Sequence, residues 1–338
     1  MFELSEQFDQ MLPTIFLGLM ALSIFVYAIL DGYDLGVGIL MPMDNEAYRD
    51  KMIASIGPFW DANETWLVLA IGILLIAFPN AHSYIFGNLY LPAAFLLIGL
   101  IMRGVAFDFR AKAATDHKHT WDKVFKIGSL LVTLMQGYML GMYVMGFESS
   151  WQSVVFSLLS AVGVSAAYML IGSAWLVYKS EGELRVKAAN WGKISGYVFV
   201  AGMLVISVTN LIFKPEVADR WLSVTGLFLM LGLLFLSFTV FMVIDYHFKQ
   251  ITDRSPIKRD YSVFLLTALL YLIVAIGYAF SYFPYVVPGH LLASDSITSV
   301  ESLRVIFYGV AVVLPLILMY TAFSYWVFRG KTTDLNYD

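Results

Sequence analysis

Nine stretches of this chain are each long and apolar enough to cross a bilayer, a pattern that no soluble fold accommodates. A hydrocarbon core of about 30 Å takes about 20 helical residues. The runs are Met11–Leu40, Ser55–Phe78, Ser83–Asp108, Trp121–Met145, Gln152–Tyr178, Trp191–Phe213, Trp221–His247, Tyr261–Val287 and Leu303–Phe328. In lipid, backbone groups must find their partners inside the protein, and for segments of this length the helix is the element that does so. The expected fold is therefore all-α, a polytopic bundle of about nine transmembrane helices. The connections are short, so residues 1–338 read as a single integral membrane domain.

Composition agrees. Of 338 residues, 59% are hydrophobic and 14% charged, where a soluble domain carries roughly 25% charge. The net charge of −4 leaves no general basic footprint for nucleic acid. The chain has no cysteine, which removes disulfides, thiolate catalysis, iron–sulfur ligation and thiolate zinc sites. No Walker loop or dinucleotide fingerprint is present, which argues against ATP-driven transport. The stretch Met1–Gln10 is acidic and lacks a basic n-region, so the first run reads as a retained span and not a removed signal.

Orientation follows from Lys and Arg. The connections after the first, third, fifth and seventh runs, with their margins and the C-terminal tail, hold 17 of the 21 basic residues, among them Arg49, Arg110, Lys126, Lys179, Lys258, Arg259 and Lys331. The opposite side has Lys214, Arg220 and Arg304, and Arg103 lies inside a run. This places the N-terminus outside and the C-terminus in the cytoplasm. Trp121, Trp151, Trp191, Trp221 and Trp326 sit near run ends, where interfacial anchors belong. The pairs Gly32/Gly36, Gly137/Gly141 and Gly192/Gly196 suit close helix packing. No internal repeat is clear enough to argue inverted-repeat transport.

Ionisable groups inside a membrane are costly and mark function by default. Here they cluster. The first run ends Asp31-Gly-Tyr-Asp34-Leu-Gly-Val-Gly38, with both acids on one helix face. The second opens Gly57-Pro-Phe-Trp60-Asp61-Ala-Asn63-Glu64-Thr-Trp66, and Asp61 and Glu64 again share a face. For a helix starting at Ser55, Asp61 lies roughly 9 Å along its axis. The third ends with Arg103, Asp108 and Arg110. Three consecutive runs thus bring Asp31, Asp34, Asp61, Glu64, Asp108 and the single base Arg103 into the cytoplasmic half. Five acids beside one base cannot all carry charge cheaply, so at least one is expected to hold a proton. Such a cluster, open toward the cytoplasm, is what proton uptake requires. The plainer reading is a helix clamp, with Arg103 paired to Asp34 or Asp61. Trp60 and Trp66 flank the acids and suit either a flat aromatic ligand or core packing.

Histidine supplies a negative argument. His117 and His119 fall in the basic loop Ala111–Thr120, His82 and His290 near the outer surface, and His247 at a run's cytoplasmic end. Haem b takes an axial His or Met at membrane depth, and the 16 methionines read as packing. The chain alone is expected to bind no haem and no metal.

These segments resemble subunit II of the cytochrome bd ubiquinol oxidases, including the cyanide-insensitive oxidase branch. The resemblance rests on Asp31-Gly32-Tyr33-Asp34-Leu35-Gly36-Val37-Gly38, on Gly57-Pro58-Phe59-Trp60-Asp61-Ala62-Asn63-Glu64, on Arg103 through Arg110, and on Phe283-Pro284-Tyr285-Val286-Val287-Pro288. It spans the chain in length and span count. Ala62 departs from the Gly of many relatives. The resemblance implies a haem-free subunit that completes a quinol oxidase in the bacterial cytoplasmic membrane. Haem b and haem d would lie in the partner, subunit I, with membrane quinol as substrate and a small accessory membrane subunit as a further partner. It also implies a proton route lined by the acid at Asp61, and in some relatives a structural quinone near Trp60 and Arg103. Catalytic residues in the strict sense are not expected in this chain. Two other readings stay open at this point: a proton-coupled secondary transporter, and a purely structural subunit whose acids are clamps.

Overall fold

The computed structural model describes residues 2–112, 117–254 and 260–332, with side chains from residue 7 onward. Met1, Lys258, Arg259 and the middle of the Ala111–Thr120 loop lie outside the described residues. The order is α1 (Phe2–Leu40), α2 (Glu46–Ile56), α3 (Trp60–Ala77), α4 (Pro79–Lys112), α5 (Lys118–Val144), α6 (Trp151–Lys179), α7 (Gly182–Phe213), α8 (Pro215–Leu222), α9 (Val224–Thr252), α10 (Tyr261–Tyr282), β1 (Tyr285–Val287), β2 (Leu291–Leu292), α11 (Ala293–Ser296) and α12 (Val300–Val327). Among the described residues, nine helices are long and apolar enough to cross a membrane, which matches the sequence expectation.

Local chemistry explains where helices begin. Asn45 accepts from the Tyr48 amide to cap α2, and Ser150, Ser223 and Ser299 cap α6, α9 and α12 through amides three residues on. Arg220 of α8 donates to the Phe280 and Phe283 carbonyls at 2.8 and 2.6 Å, satisfying the end of α10. Inside α4, Leu89 leaves helical geometry one turn before Pro92, whose ring cannot tolerate a regular preceding turn.

Three boundaries differ from the sequence reading. The run from Ser55 is two elements: α2 ends at Ile56, and α3 starts afresh at Trp60. Pro58 in the intervening turn has no N–H to continue a ladder. Asp61 is therefore in the first turn of α3, and not some 9 Å into a helix. The eighth run stops at Tyr282, and its tail pairs as β1 with β2, Tyr285 opposite Leu292. Trp221 belongs to the short α8, where it is 9% exposed and donates to Ser281 Oγ at 2.9 Å, so it packs inward instead of anchoring at the lipid interface.

The helices form two groups, α1, α3, α4 and α5 against α6, α7, α9 and α10, with both α5 and α1 packed on α6 between them. Small residues set that crossing. A Cβ on Gly36 would lie 1.8 Å from the Tyr168 carbonyl oxygen, and one on Gly172 would lie 2.7 Å from the Gly36 carbonyl carbon. Glycine alone permits this approach of backbones. The apolar core centres on Tyr33, Phe59, Trp175 and Phe248 around α6, the most buried of the spanning helices. By contrast, α12 stands on the outside, with Leu303 its one buried residue, and its C-terminal end is latched to α6. There Lys179 Nζ donates to the Phe328 carbonyl at 2.5 Å, and the Thr332 amide donates to the Lys179 carbonyl at 2.8 Å.

Candidate functional site: a buried acid cluster around Arg103

Helices α1, α3 and α4 meet at Arg103, whose side chain is fully buried. Its Nη2 lies 2.9 Å from Asp31 Oδ1, and its Nη1 lies 2.9 Å from Glu64 Oε1 and 3.3 Å from Asp31 Oδ2. Asp31 is 0% exposed, whereas the Glu64 side chain keeps 23% of its surface. The base thus pairs with Asp31 and Glu64, not with Asp34 or Asp61 as the clamp reading had it. Helix pitch gives the reason. Asp31 and Asp34 are both turned inward, but three residues set them about 4.5 Å apart along α1, and the Arg103 contacts fall on Asp31.

Asp34 has a different environment. It is fully buried, and its Oδ2 accepts from Asn63 Nδ2 at 2.8 Å. Its Oδ1 has no hydrogen-bond partner among the described residues. Asn63 Nδ2 also points at the Tyr33 hydroxyl at 3.0 Å and the Leu30 carbonyl at 3.2 Å. Asn63 Oδ1 accepts from Tyr325 of α12 at 3.1 Å, and the Tyr33 and Tyr325 hydroxyls are 2.7 Å apart. Aromatic rings brace this ring of hydrogen bonds: Tyr33 stacks on Trp175 at 4.2 Å, and Phe59 stacks on Tyr325 at 4.5 Å. On the other side of Asp31, Gln136 donates to the Tyr27 hydroxyl and accepts from Tyr168 at 2.9 Å.

Asp61 and Asp108 are not brought into the cluster. Both are exposed on the surface of the chain, and neither forms an ion pair among the described residues. Asp61 stands one turn before Glu64 on α3, so the acids run from the surface at Asp61, through half-buried Glu64, to the Arg103–Asp31 pair. Trp60 is partly buried, tilted against Phe107 at 4.9 Å and over Gly104, while Trp66 is a buried core residue. Among the described residues, no three His, Asp or Glu side chains are placed to hold a metal.

A second buried charge cluster escaped the sequence reading. Asp122 of α5 is fully buried and accepts from Arg49 Nε at 2.7 Å and Arg110 Nε at 2.5 Å, while Arg110 Nη2 also reaches Asp50 at 2.5 Å. It ties α2, α4 and α5 together on the basic side. Asn63, Tyr33 and Tyr325 were not singled out either, since neutral polar residues in an apolar run carry no pattern. Asn63 did stand between two acids, the one available signal.

Comparison with known proteins places this arrangement. The family model described as cytochrome bd terminal oxidase subunit II matches residues 12–328. The chain is 29% identical over 328 residues to cytochrome bd ubiquinol oxidase subunit 2 of Bacillus subtilis (strain 168), covering 90% of this chain and 92% of that one. It is 28% identical over 358 residues to cytochrome bd-I ubiquinol oxidase subunit 2 of Escherichia coli (strain K12), covering 91% of each. Its fold is similar to a chain of the bd oxidase from Geobacillus thermodenitrificans, with a TM-score of 0.63 and 9% identity over 93% of this chain and 96% of that one. Nothing in these comparisons supports the transporter reading. Nine membrane helices among the described residues, a family match over residues 12–328 and relatives covered over 91–92% of their length agree: the chain belongs to the cytochrome bd terminal oxidase subunit II family and is a multi-pass bacterial membrane subunit of a terminal oxidase.

Proposed function

We propose that this chain works as a haem-free subunit II, a single membrane domain docked against a subunit I that carries haem b and haem d. The complex oxidises membrane quinol and reduces oxygen to water. Two quinols supply four electrons and release four protons outside, and four protons from the cytoplasm complete two waters. The N-terminus faces outside and the basic side faces the cytoplasm, as the Lys and Arg distribution supports. This chain's part is an assembly surface and a proton-uptake route through Asp61, Glu64 and the cluster of Asp31 and Asp34. Trp60 over Gly104 offers a flat aromatic wall where a structural quinone would rest, with Arg103 buried behind Glu64 and Asp108 exposed on α4 as the other candidates for that role. A small accessory membrane subunit remains an assignment for the complex.

The observation that carries the route is Glu64, which touches the surface and the buried Arg103 at once. One arginine cannot neutralise Asp31, Asp34 and Glu64 together, so the cluster stores at least one proton and can pass it on. A second reading draws on the full burial of Arg103 and Asp31: that pair is a clamp, while the exchange happens at Asp61, Glu64 and Asp34. The test is Asp61→Asn in the purified complex. The expected result is quinol-dependent oxygen uptake lowered roughly tenfold or more, with the reduced-minus-oxidised haem bands unchanged. Full oxygen uptake in that variant would remove Asp61 from the route. Loss of the complex with normal turnover in what remains would assign it to assembly alone.

A further inference from the structure

We propose that Tyr325 of α12 is a positioning residue for Asp34, fixing through Asn63 which end of an amide the buried carboxyl meets.

Three observations carry this. First, Asp34 is buried without a cation. The guanidinium beside it spends its bonds on Asp31 and Glu64, and among the described residues no Lys or Arg pairs with Asp34. Its direct partner is the Asn63 amide at 2.8 Å, and its other oxygen is free. A carboxyl in that setting responds to whichever dipole faces it. Second, an amide has two ends that differ only in what they bond, so its orientation is set by its partners. Asn63 Oδ1 has Tyr325 as its donor. The bonds close into a ring: Asn63 Nδ2 donates to Tyr33, Tyr33 donates to Tyr325, and Tyr325 donates to Asn63 Oδ1. Each donor is used, and each bond polarises the next. Removing the Tyr325 oxygen strips Asn63 Oδ1 of its donor and Tyr33 of its acceptor at once. Third, Tyr325 comes from the helix least held by the bundle. Its place depends on the latch one turn further on, where Lys179 holds the Phe328 carbonyl and Lys331 Nζ holds Asp260 at 2.6 Å. Hence α12, held at its other end by buried Leu303 and the Arg304–Asp9 pair and mostly exposed between, reaches into the acid cluster at one side chain.

The groups facing Asp34 are Asp31 on its own helix, Asn63 and Glu64 from α3, Arg103 from α4, and the phenols Tyr33 and Tyr325. Any change in its titration passes through one of these. The inference rests on the proton-route proposal for its effect on turnover, but not for its effect on Asp34 itself.

The experiment uses the whole purified complex carrying Tyr325→Phe, Asp34→Asn or, as a control on the exposed face of α12, Tyr320→Phe. Two readouts are taken: the reduced-minus-oxidised infrared difference spectrum in the carboxylic C=O region, and oxygen uptake against pH. Asp34→Asn is expected to remove one carboxyl band. Tyr325→Phe should move that band and displace the pH profile by about half a unit, roughly a threefold change in proton affinity, with haem content unchanged. Tyr320→Phe should do neither. A Tyr325→Phe spectrum and profile identical to the parent would overturn the proposal. Should that variant lose haem, Tyr33→Phe opens the same ring from α1, and an unmoved band there overturns it equally. A moved band with an unmoved pH profile would keep Tyr325 as the positioning residue and defeat the proton route through Asp34 instead.

Discussion

Two buried arginine–carboxylate clusters lie on the basic side of this subunit, and they differ in arithmetic. Around Asp122, two arginines meet one buried acid, and the half-exposed Asp50 supplies the second negative charge. Two positive and two negative groups balance, and every charged group has its opposite in contact. Around Arg103, one arginine meets Asp31 and Glu64, and Asp34 lies beside them with none. One positive group faces three acids. A balanced cluster has no reason to exchange protons and every reason to hold helices together. A cluster with surplus acid reaches neutrality only by binding protons, so its charge state can change during turnover. Under the proposed function, the same residue types serve as a clamp in one place and as a proton store in the other.

The largest effect is expected from Asp122→Asn, which leaves two buried arginines against each other. Breaking a buried pair costs about 3–5 kcal/mol, so complex abundance and thermal stability should fall sharply while oxygen uptake per haem stays near the parent value. Next comes Gly172→Ala. Its methyl would meet the Gly36 backbone at 2.7 Å, forcing α1 and α6 apart at a cost of about 1–3 kcal/mol, and a thermal melt of the complex should show the loss. Glu64→Gln removes an exchanging proton but keeps the shape and a hydrogen-bond partner for Arg103. Oxygen uptake per haem should drop roughly tenfold, about 1.4 kcal/mol in the barrier, with abundance within twofold. The smallest effect is expected from Asp50→Asn. Its partner Arg110 keeps Asp122, and Asp50 itself is 45% exposed, so stability should change by less than about 1 kcal/mol. A large loss at Asp50 would show that its charge matters to the cluster as much as that of buried Asp122, despite its exposure.

How much of this was legible in the sequence varied with distance along the chain. The spans were legible because burial in lipid is a property of a run, and a run is local. The acids and Arg103 were legible because charge in an apolar run is rare. Their pairing was not. Whether Arg103 chooses Asp31 or Asp34 depends on the relative height of two helices, which no local pattern encodes. Asp122 was passed over because it follows Trp121 at what reads as a helix margin, yet the short α2 folds over it and buries it. The break at Gly57–Phe59 had a written signal in Gly-Pro, overridden by the hydropathy around it. The Tyr33–Asn63–Tyr325 ring joins residues 262 and 292 positions apart, and neutral side chains announce nothing at that range.

Proton uptake itself is the property that most directly separates a surplus-acid cluster from a clamp. The measurement is time-resolved proton uptake from the basic side by the reduced complex on mixing with oxygen, followed with a pH indicator and normalised to haem d, in the parent, Glu64→Gln and Asp122→Asn. Uptake slowed roughly tenfold in Glu64→Gln, with parent-like uptake in whatever Asp122→Asn complex survives, is the predicted result. Equal uptake in Glu64→Gln and parent would contradict the claim that the surplus-acid cluster carries the protons.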